Sequence, residues 1–282
     1  MEHLEAMVEG EERWAESGPV VSVAWLRDCL EEPGVRVIDA RPAASYAAAH
    51  LPGALNLDLY ALQVRRSDAA ELERFIANAE VALRRLGVQS GERVIFYEDV
   101  AGSIAARGVW LLDYLGHGGG AMLDGGLHAW VAADGPLTQD VPSPAPSDFR
   151  AVPDPALLAT ADEIRAAIET DAAPTLLDTR NDAEHTAGTI PGSVHVEWIH
   201  HLNPDGTLRS PTTLRRLYAE AGLPPRADHP VVAYCASGFR AAHAYVVLRA
   251  LGYENVANYA PSWGEWGRRH DLPMAVAELD AD

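Results

Sequence analysis

Residues 231–243 read Val-Val-Ala-Tyr-Cys-Ala-Ser-Gly-Phe-Arg-Ala-Ala-His, an apolar run that leads directly into a helical pattern. The apolar run predicts a buried strand over 231–234. The residues that follow place apolar side chains on one helix face, at Ala241, Ala244, Tyr245, Leu248 and Leu251. We therefore expect a helix over 239–251 that ends at Gly252, with Cys235 at the junction between strand and helix.

The same order of motifs occurs twice in the chain. Residues 37–41, Val-Ile-Asp-Ala-Arg, resemble residues 176–180, Leu-Leu-Asp-Thr-Arg, and a Pro-Gly step begins thirteen residues after each Asp. Alignment of the glycines that follow the next predicted strand in each copy places Asp99 opposite Cys235. Both of these residues lie 31 positions before a Trp. A shared offset of that length indicates an internal duplication.

A proline-rich segment separates the two copies. Residues 136–155 contain six prolines, which is typical of a semi-rigid linker and not of a packed element. We expect one domain over 19–135 and a second, catalytic domain over 156–282. In both, short apolar strands alternate with helical patterns, which predicts the α/β class. Each domain should be a small, open, mostly parallel sheet flanked by helices, and pseudo-twofold symmetry should relate the two.

The second copy has clear signals for individual elements. Besides the strand that precedes Cys235, strands are predicted over 176–178 and 256–259. Thr160 followed three residues later by Glu163 is a capping box, and Ser210 followed by proline marks the start of another helix.

The composition bounds the partners and the compartment. The formal charge is −19, from 22 basic and 41 acidic residues, which argues against nucleic acid or an anionic membrane surface as a partner. No apolar run approaches the roughly 18 residues of a membrane span. The first twelve residues are acidic and lack the pattern of a secretory signal, so we expect a short mobile tail on a cytoplasmic protein. The chain has two cysteines, too few for a disulfide framework.

Cys235 is the candidate nucleophile. In an open α/β sheet, ligands bind at the carboxyl ends of the strands, where a helix start presents unpaired N–H groups and a positive dipole end. These amides, together with Arg240, would favour the thiolate and would hold a persulfide anion equally well. The alternative is a buried structural cysteine. Cys29 lies in a helical run over 23–30 and is interpreted as core or surface filler.

Four motifs combine across the chain: Asp-x-Arg with its Pro-Gly step, the Cys-x-x-Gly-x-Arg loop, Leu-Asp-Gly-Gly-Leu-x-x-Trp over 123–130 and Trp-Gly-Glu-Trp over 263–266. Together they resemble the tandem sulfurtransferases of the rhodanese family, over about 20–273. The resemblance implies that Cys235 carries the persulfide. It implies an amide cradle made of Ala236, Ser237, Gly238, Phe239, Arg240 and Ala241. It also implies a first domain that is structural and lacks the cysteine, with Asp99 in its place.

The length of the loop separates this family from relatives with phosphatase chemistry. A Cys-x5-Arg loop has room for a tetrahedral phosphate or arsenate, whereas Cys235 and Arg240 form a tighter Cys-x4-Arg loop suited to a single sulfur atom. Phosphatase and arsenate reductase activities are therefore disfavoured.

The resemblance leaves two sulfur donors open. Mercaptopyruvate enzymes resemble one another in a neutral Cys-Gly-Ser/Thr-Gly-Val loop, which Ser237 and Gly238 match. Arg240 instead matches the basic loops of thiosulfate enzymes, and its fork could bind sulfonate oxygens. We favour thiosulfate as the small anionic donor, with ping-pong transfer to cyanide or a thiol and with no metal or organic cofactor. The alternatives are mercaptopyruvate as donor, or a persulfide carrier or redox-sensing module without thiosulfate turnover.

Further positions have open roles. Several relatives have a substrate-binding Arg where this chain has Glu184. Arg180 is either a substrate-binding residue or an ion-pair partner for the strand end. Arg209 could face the cleft or solvent, and His50 could donate a proton in an interdomain cleft. The histidines over 195–201 lack the companion ligands of a metal site, so no metal is expected.

Overall fold

The computed structural model describes residues 13–170 and 173–276, so the tail predicted for the first twelve residues lies outside it. Two parallel sheets form the framework. Their strands are β1 (Val20–Val21), β2 (Val35–Asp39), β3 (Leu55–Asn56), β4 (Arg93–Tyr97), β5 (Gly120–Leu123), β6 (Thr175–Asp178), β7 (Val194–His195), β8 (Val231–Tyr234) and β9 (Val256–Asn258). The strand order is β1-β5-β4-β2-β3 in the first sheet and β7-β6-β8-β9 in the second.

Helices connect the strands of each sheet. They are α1 (Val23–Cys29), α2 (Ala43–Ala48), α3 (Ala69–Arg85), α4 (Ser103–Tyr114), α5 (Gly126–Ala132), α6 (Ala161–Ile168), α7 (Asp182–Ala187), α8 (Pro211–Glu220), α9 (Phe239–Ala250) and α10 (Ser262–Trp266). Among the described residues, no helix has both the length and the hydropathy needed to cross a bilayer. The predicted α/β architecture of two parallel, helix-flanked sheets is confirmed.

The local signals of the second copy are also confirmed. β8 has the predicted bounds, and α9 begins at the predicted Phe239. The Thr160 side chain accepts a hydrogen bond from the backbone of Glu163, whose carboxylate accepts one from the Thr160 backbone in return. Ser210 caps α8 in the same way by accepting from the backbone of Thr213.

The register of the sheets corrects one alignment made from the sequence. The last residues of β2 and β4 pair with each other, as do the last residues of β6 and β8. Cys235 directly follows β8, so its equivalent directly follows β4 and is Glu98, not Asp99. The Glu98 carbonyl accepts from Leu127 N at 2.7 Å, as the Cys235 carbonyl accepts from Trp263 N at 2.9 Å. The loop of the first domain has one extra residue before its glycine, which shifted the alignment.

The segment between the two sheets runs along the first domain. Residues 133–154 are all described and contain no helix or strand other than an isolated bridge between Thr138 and His50. Backbone hydrogen bonds tie the segment to the ends of two helices: Ser147 N donates to Arg84 O, and Val152 N to Leu115 O, each at 2.9 Å.

The two domains share a hydrophobic core where α4 packs on α9. Small and aromatic side chains from both helices are buried in it, among them Ala105, Ala106, Trp110, Ala241, Ala242 and Tyr245. The alanines allow the two helices to approach closely. The first domain therefore lies directly against the helix that begins at the candidate site.

Glu265 of α10 joins the domains near that site. Its carboxylate is 7% exposed and accepts hydrogen bonds from Ser67 N at 2.9 Å, from Ser67 Oγ at 2.8 Å and from the Tyr259 hydroxyl at 2.9 Å. A buried carboxylate needs such donors because it has left water.

Replacement of Glu265 by Ala should lower the free energy of unfolding by about 2–4 kcal/mol, because one buried donor and two partly buried donors lose their carboxylate acceptor. Urea unfolding measures the loss. The matched control is Glu220→Ala, at a surface ion pair where the glutamate is 70% exposed, which should change stability by about 0.5 kcal/mol or less. Equal losses in the two variants would contradict the role given to Glu265.

Candidate active site

Cys235 lies where the sequence pattern placed it, between β8 and α9. Its Sγ accepts hydrogen bonds from Gly238 N at 3.1 Å and from Ser237 N at 3.4 Å. Both amides belong to the turn that opens α9, whose positive dipole end therefore faces the sulfur. The turn requires glycine at position 238, because φ there is +82° and a Cβ would lie 2.3 Å from the Ala260 carbonyl oxygen.

The segment around α10 holds the loop from the other side. Trp263 N donates to the Cys235 carbonyl and Gly264 N to the Ala236 carbonyl, each at 2.9 Å. Ser262 Oγ accepts from Cys235 N at 3.0 Å and donates its proton to the Tyr259 carbonyl at 2.6 Å. The Ser262 hydroxyl thus fixes the backbone of the loop, and its oxygen also lies 3.9 Å from Cys235 Sγ. The much shorter distance to the Tyr259 carbonyl favours that carbonyl as the acceptor of its proton.

Cys235 is only 1% exposed. Burial alone would fit a structural cysteine, but two amide N–H groups directed at the sulfur favour a site for a sulfur anion. A cavity of about 840 Å³ between the domains lies at the opposite, amino ends of the strands, where Arg93, Asp113, Pro230 and Arg249 are among its lining residues. Residues 235–240 do not line this cavity, so we place the chemistry at the cysteine and not there.

Arg240 lies between the sulfur and an acidic partner. Its Nη1 and Nη2 donate to the two carboxylate oxygens of Glu184, at 2.6 and 2.9 Å. Glu184 and then Cys235 raise the pKa of Arg240, and the bond from Arg240 lowers the pKa of Glu184. The chain therefore has an acid for the loop arginine at the position where the family resemblance led us to expect a second arginine.

Arg180 is engaged inside the second domain. Its Nε and Nη2 donate to the Asp178 carboxylate, Nη2 also donates to the Gly188 carbonyl at 2.6 Å, and the guanidinium lies 4.4 Å from the Trp263 ring centroid. Its exposure is 1%. These contacts favour the ion-pair role over the substrate-binding role, because Nε and Nη2 already have acceptors inside the second domain.

The side chains of His50 and Arg209 also bond to backbone carbonyls away from Cys235. His50 is fully buried, with its nitrogens 2.8 Å from the Tyr46 carbonyl and 3.1 Å from the Asp140 carbonyl, so the structure does not bring it to Cys235. Arg209 Nε donates to the Leu202 carbonyl of its own loop at 3.2 Å.

A buried chain of hydrogen bonds connects the second domain to the first. The Tyr218 hydroxyl lies 2.9 Å from His201 Nε2, His201 Nδ1 lies 3.0 Å from His243 Nδ1, and His243 Nε2 lies 2.9 Å from the Ala101 carbonyl. Because a carbonyl can only accept, His243 Nε2 carries the proton and His201 donates from Nδ1. Burial lowers the pKa of His243 to about 4, which keeps the ring neutral.

The loop of the first domain has a carboxylate at the position of the cysteine. Glu98 Oε1 accepts from Ile104 N at 2.7 Å and from Ala105 N at 3.1 Å, at the start of α4. Burial raises the pKa of Glu98 to about 7. Asp99, next along the chain, is 58% exposed and lies 3.6 Å from Arg41 Nη1.

The raised pKa of Glu98 predicts how its removal changes stability with pH. A carboxyl group with a raised folded-state pKa stabilises the fold below about pH 4.5, and that contribution is lost as pH rises through about 7. Glu98→Gln should therefore gain stability over the parent chain with rising pH, by about 1.4 kcal/mol per pH unit across this window. Urea unfolding of Glu98→Gln and of the parent chain at several pH values tests this prediction. A stability difference between the two that does not vary with pH would contradict it.

Comparison with known proteins agrees with this geometry. The sequence model of the Rhodanese-like domain matches residues 22–133 and again residues 160–269. The chain belongs to the rhodanese family. The thiosulfate sulfurtransferase of Azotobacter vinelandii is 32% identical over 273 residues, which is 91% of this chain and 97% of that relative. The sulfur carrier protein TtuD of Thermus thermophilus is also 32% identical, over 92% of this chain and 97% of its own length.

A solved rhodanese-fold structure is similar as well. The crystal structure of SseA from Escherichia coli, described as a 3-mercaptopyruvate sulfotransferase, superposes with a TM-score of 0.76 at 26% identity and covers 87% of this chain and 99% of its own. These rhodanese relatives support sulfurtransferase activity for this chain, and their names include both sulfur donors.

Proposed function

We propose that the protein is a thiosulfate sulfurtransferase that carries sulfane sulfur as a persulfide on Cys235. The observation on which the proposal depends is the pair of amide N–H groups of Ser237 and Gly238 directed at Sγ, at 3.4 and 3.1 Å. The same donors would serve the thiolate and the persulfide anion. Ala236, Phe239, Arg240 and Ala241 complete the proposed cradle.

The proposed reaction has two steps. The Cys235 thiolate attacks the outer sulfur of thiosulfate, a new S–S bond forms at Sγ, and sulfite leaves with the electron pair of the broken S–S bond. Cyanide, or a thiol that has lost its proton, then attacks the terminal sulfur and releases the thiolate. The sulfur atom is itself the transferred group, so neither step draws on an external oxidant or reductant.

Thiosulfate is the preferred donor because a permanent cation lies at the loop. Arg240 is planar and always charged, and its fork matches sulfonate oxygens. Glu184 holds that fork in the structure, so a sulfonate would have to share the guanidinium with the carboxylate. The names of several relatives support the same donor. Mercaptopyruvate turnover and a carrier role are the alternatives, the first because of SseA and the second because of TtuD.

The proposed partners are a small anionic sulfur donor and a cyanide or thiol acceptor. We propose the cytoplasm as the compartment, because both cysteines, Cys29 and Cys235, are free. Cys29 is buried in α1 and lies 3.2 Å from the Trp25 carbonyl, which fits a core residue.

Cys235→Ser should abolish thiocyanate formation from thiosulfate and cyanide, because the persulfide cannot form on a hydroxyl. Intact mass after incubation with thiosulfate should show one added sulfur in the parent chain and none in this variant. Cys29→Ser is the matched control and should retain both thiocyanate formation and the added sulfur. Thiocyanate formation by Cys235→Ser would refute the mechanism. Turnover of mercaptopyruvate alone would reverse the choice of donor, and persulfide formation without turnover would identify a carrier.

Two substitutions at the loop ion pair should act in opposite directions. Arg240→Gln should lower kcat/KM for thiosulfate by about 10–100-fold, because the sulfonate loses a cation. Glu184→Gln should lower KM for thiosulfate by about threefold, because it releases that cation from its partner. Steady-state kinetics measure both. Arg249→Gln, at the exposed far end of the same helix, is the control and should leave kcat/KM unchanged. Weaker thiosulfate binding in Glu184→Gln would contradict the role given to Arg240.

A further inference from the structure

Arg107 of α4 is a buried cation whose terminal nitrogens have no hydrogen-bond partner among the described residues. The residue is 1% exposed, and neither Nη1 nor Nη2 finds a hydrogen-bond acceptor among the described residues. A buried guanidinium without acceptors is costly to the fold. The source of the negative charge that compensates this guanidinium therefore needs a physical explanation.

The surroundings of Arg107 are aromatic and lead to the cysteine loop. The guanidinium carbon lies 4.1 Å from the ring centroid of Trp110, 5.8 Å from that of Phe75 and 5.4 Å from that of Phe239. Phe239 is the first residue of α9 and belongs to the second domain. A side chain from the first domain thus lies against the first residue of α9, four positions after Cys235.

The internal duplication gives Arg107 an equivalent in the second domain, His243. Arg107 lies five residues after the glycine of its loop, and His243 lies five residues after the corresponding glycine in the second domain. His243 reaches across the interface, and its Nε2 lies 2.9 Å from the Ala101 carbonyl in the loop of the first domain. Each domain therefore sends one basic side chain toward the loop of the other. The histidine is bonded there, whereas the two arginine nitrogens are not.

Resting on the proposed persulfide chemistry, we propose that Arg107 is a positioning residue of the sulfur site, through which the first domain supplies the positive charge that holds Cys235 sulfur anionic. The other cation at the loop, Arg240, already has Glu184 as its partner. Burial lowers the pKa of Arg107 to about 9, and the charge of Cys235 acts in the opposite direction, so the guanidinium is a cation at neutral pH. The first domain then contributes to the proposed chemistry although it has no cysteine at the position that corresponds to Cys235.

Arg107→Gln tests the proposal by removal of the charge alone. The thiolate of Cys235 is followed by its ultraviolet absorbance against pH, with Cys235→Ser as the blank in each background. The midpoint should rise by about 1–2 pH units, because a nearby opposite charge is lost. The kcat/KM for thiosulfate should fall about 10–100-fold. The urea midpoint should stay the same or increase, because an unpaired buried charge has gone.

Further variants separate charge from packing. Arg107→Lys keeps a cation and should hold the absorbance midpoint closer to that of the parent chain than Arg107→Gln does. Arg249→Gln removes an arginine from the far end of α9 and should not move it. An unchanged midpoint in Arg107→Gln would overturn the proposal. So would failure of both Arg107→Gln and Arg107→Met to fold, since packing would then be the main role.

The absorbance measurement needs no substrate. A parent chain that forms no thiocyanate would therefore refute the proposed function while leaving the test of Arg107 intact. Normal turnover in the parent chain together with an unmoved midpoint in Arg107→Gln would refute the inference about Arg107 alone.

Discussion

The site depends on the hydrogen bonds that the buried carboxylate of Asp178 accepts. It accepts hydrogen bonds from Arg180 and, at 3.0 Å, from the Tyr234 hydroxyl, and so joins the end of β6 to the last residue of β8. Burial alone would raise the pKa of Asp178, but the bonds from Arg180 and His185 outweigh it and lower the pKa, so the group stays charged. Because Cys235 is the next residue after Tyr234, the bond that holds the Tyr234 hydroxyl also holds the end of the strand from which Cys235 follows.

The same framework in the first domain supports a different end group. The Tyr97 hydroxyl donates to the Asp39 carboxylate at 2.6 Å, and the residue that follows again directs an acceptor at the first amides of a helix. There the acceptor is the Glu98 carboxyl group, whose oxygens are weak nucleophiles and form no stable bond to sulfane sulfur. In the second domain the acceptor is a thiol sulfur, which can form the S–S bond of the persulfide that we propose. The duplicated strand-to-helix junction thus directs an acceptor at backbone amides in both copies, and under the proposed function only the sulfur of the second copy carries the transferred group.

Local patterns in the sequence predicted the elements and placed Cys235 at the junction between strand and helix. The apolar run before Cys235, the capping box at Thr160 and the helix start at Ser210 depend on residues within a few positions of one another, and the structure has all of them. The partnership of Arg240 with Glu184 was not predicted, because it joins residues 56 positions apart. The equivalence of Glu98 was missed because a glycine-based alignment cannot detect one inserted residue, whereas strand register does.

The charges around the site bear on how a protein with a net charge of −19 would hold the anionic sulfur that we propose. Arg180 is paired with Asp178 and Arg240 with Glu184, so these two pairs cancel. Arg107 remains as a cation whose terminal nitrogens have no hydrogen-bond partner in the part of the chain that the structure describes, and in our proposal one negative charge on sulfur neutralises it. Thiolate and persulfide carry the same single charge, so the balance is the same before and after the sulfur moves. Under the proposed mechanism, the charge balance of the site therefore opposes neither the uptake nor the release of sulfur.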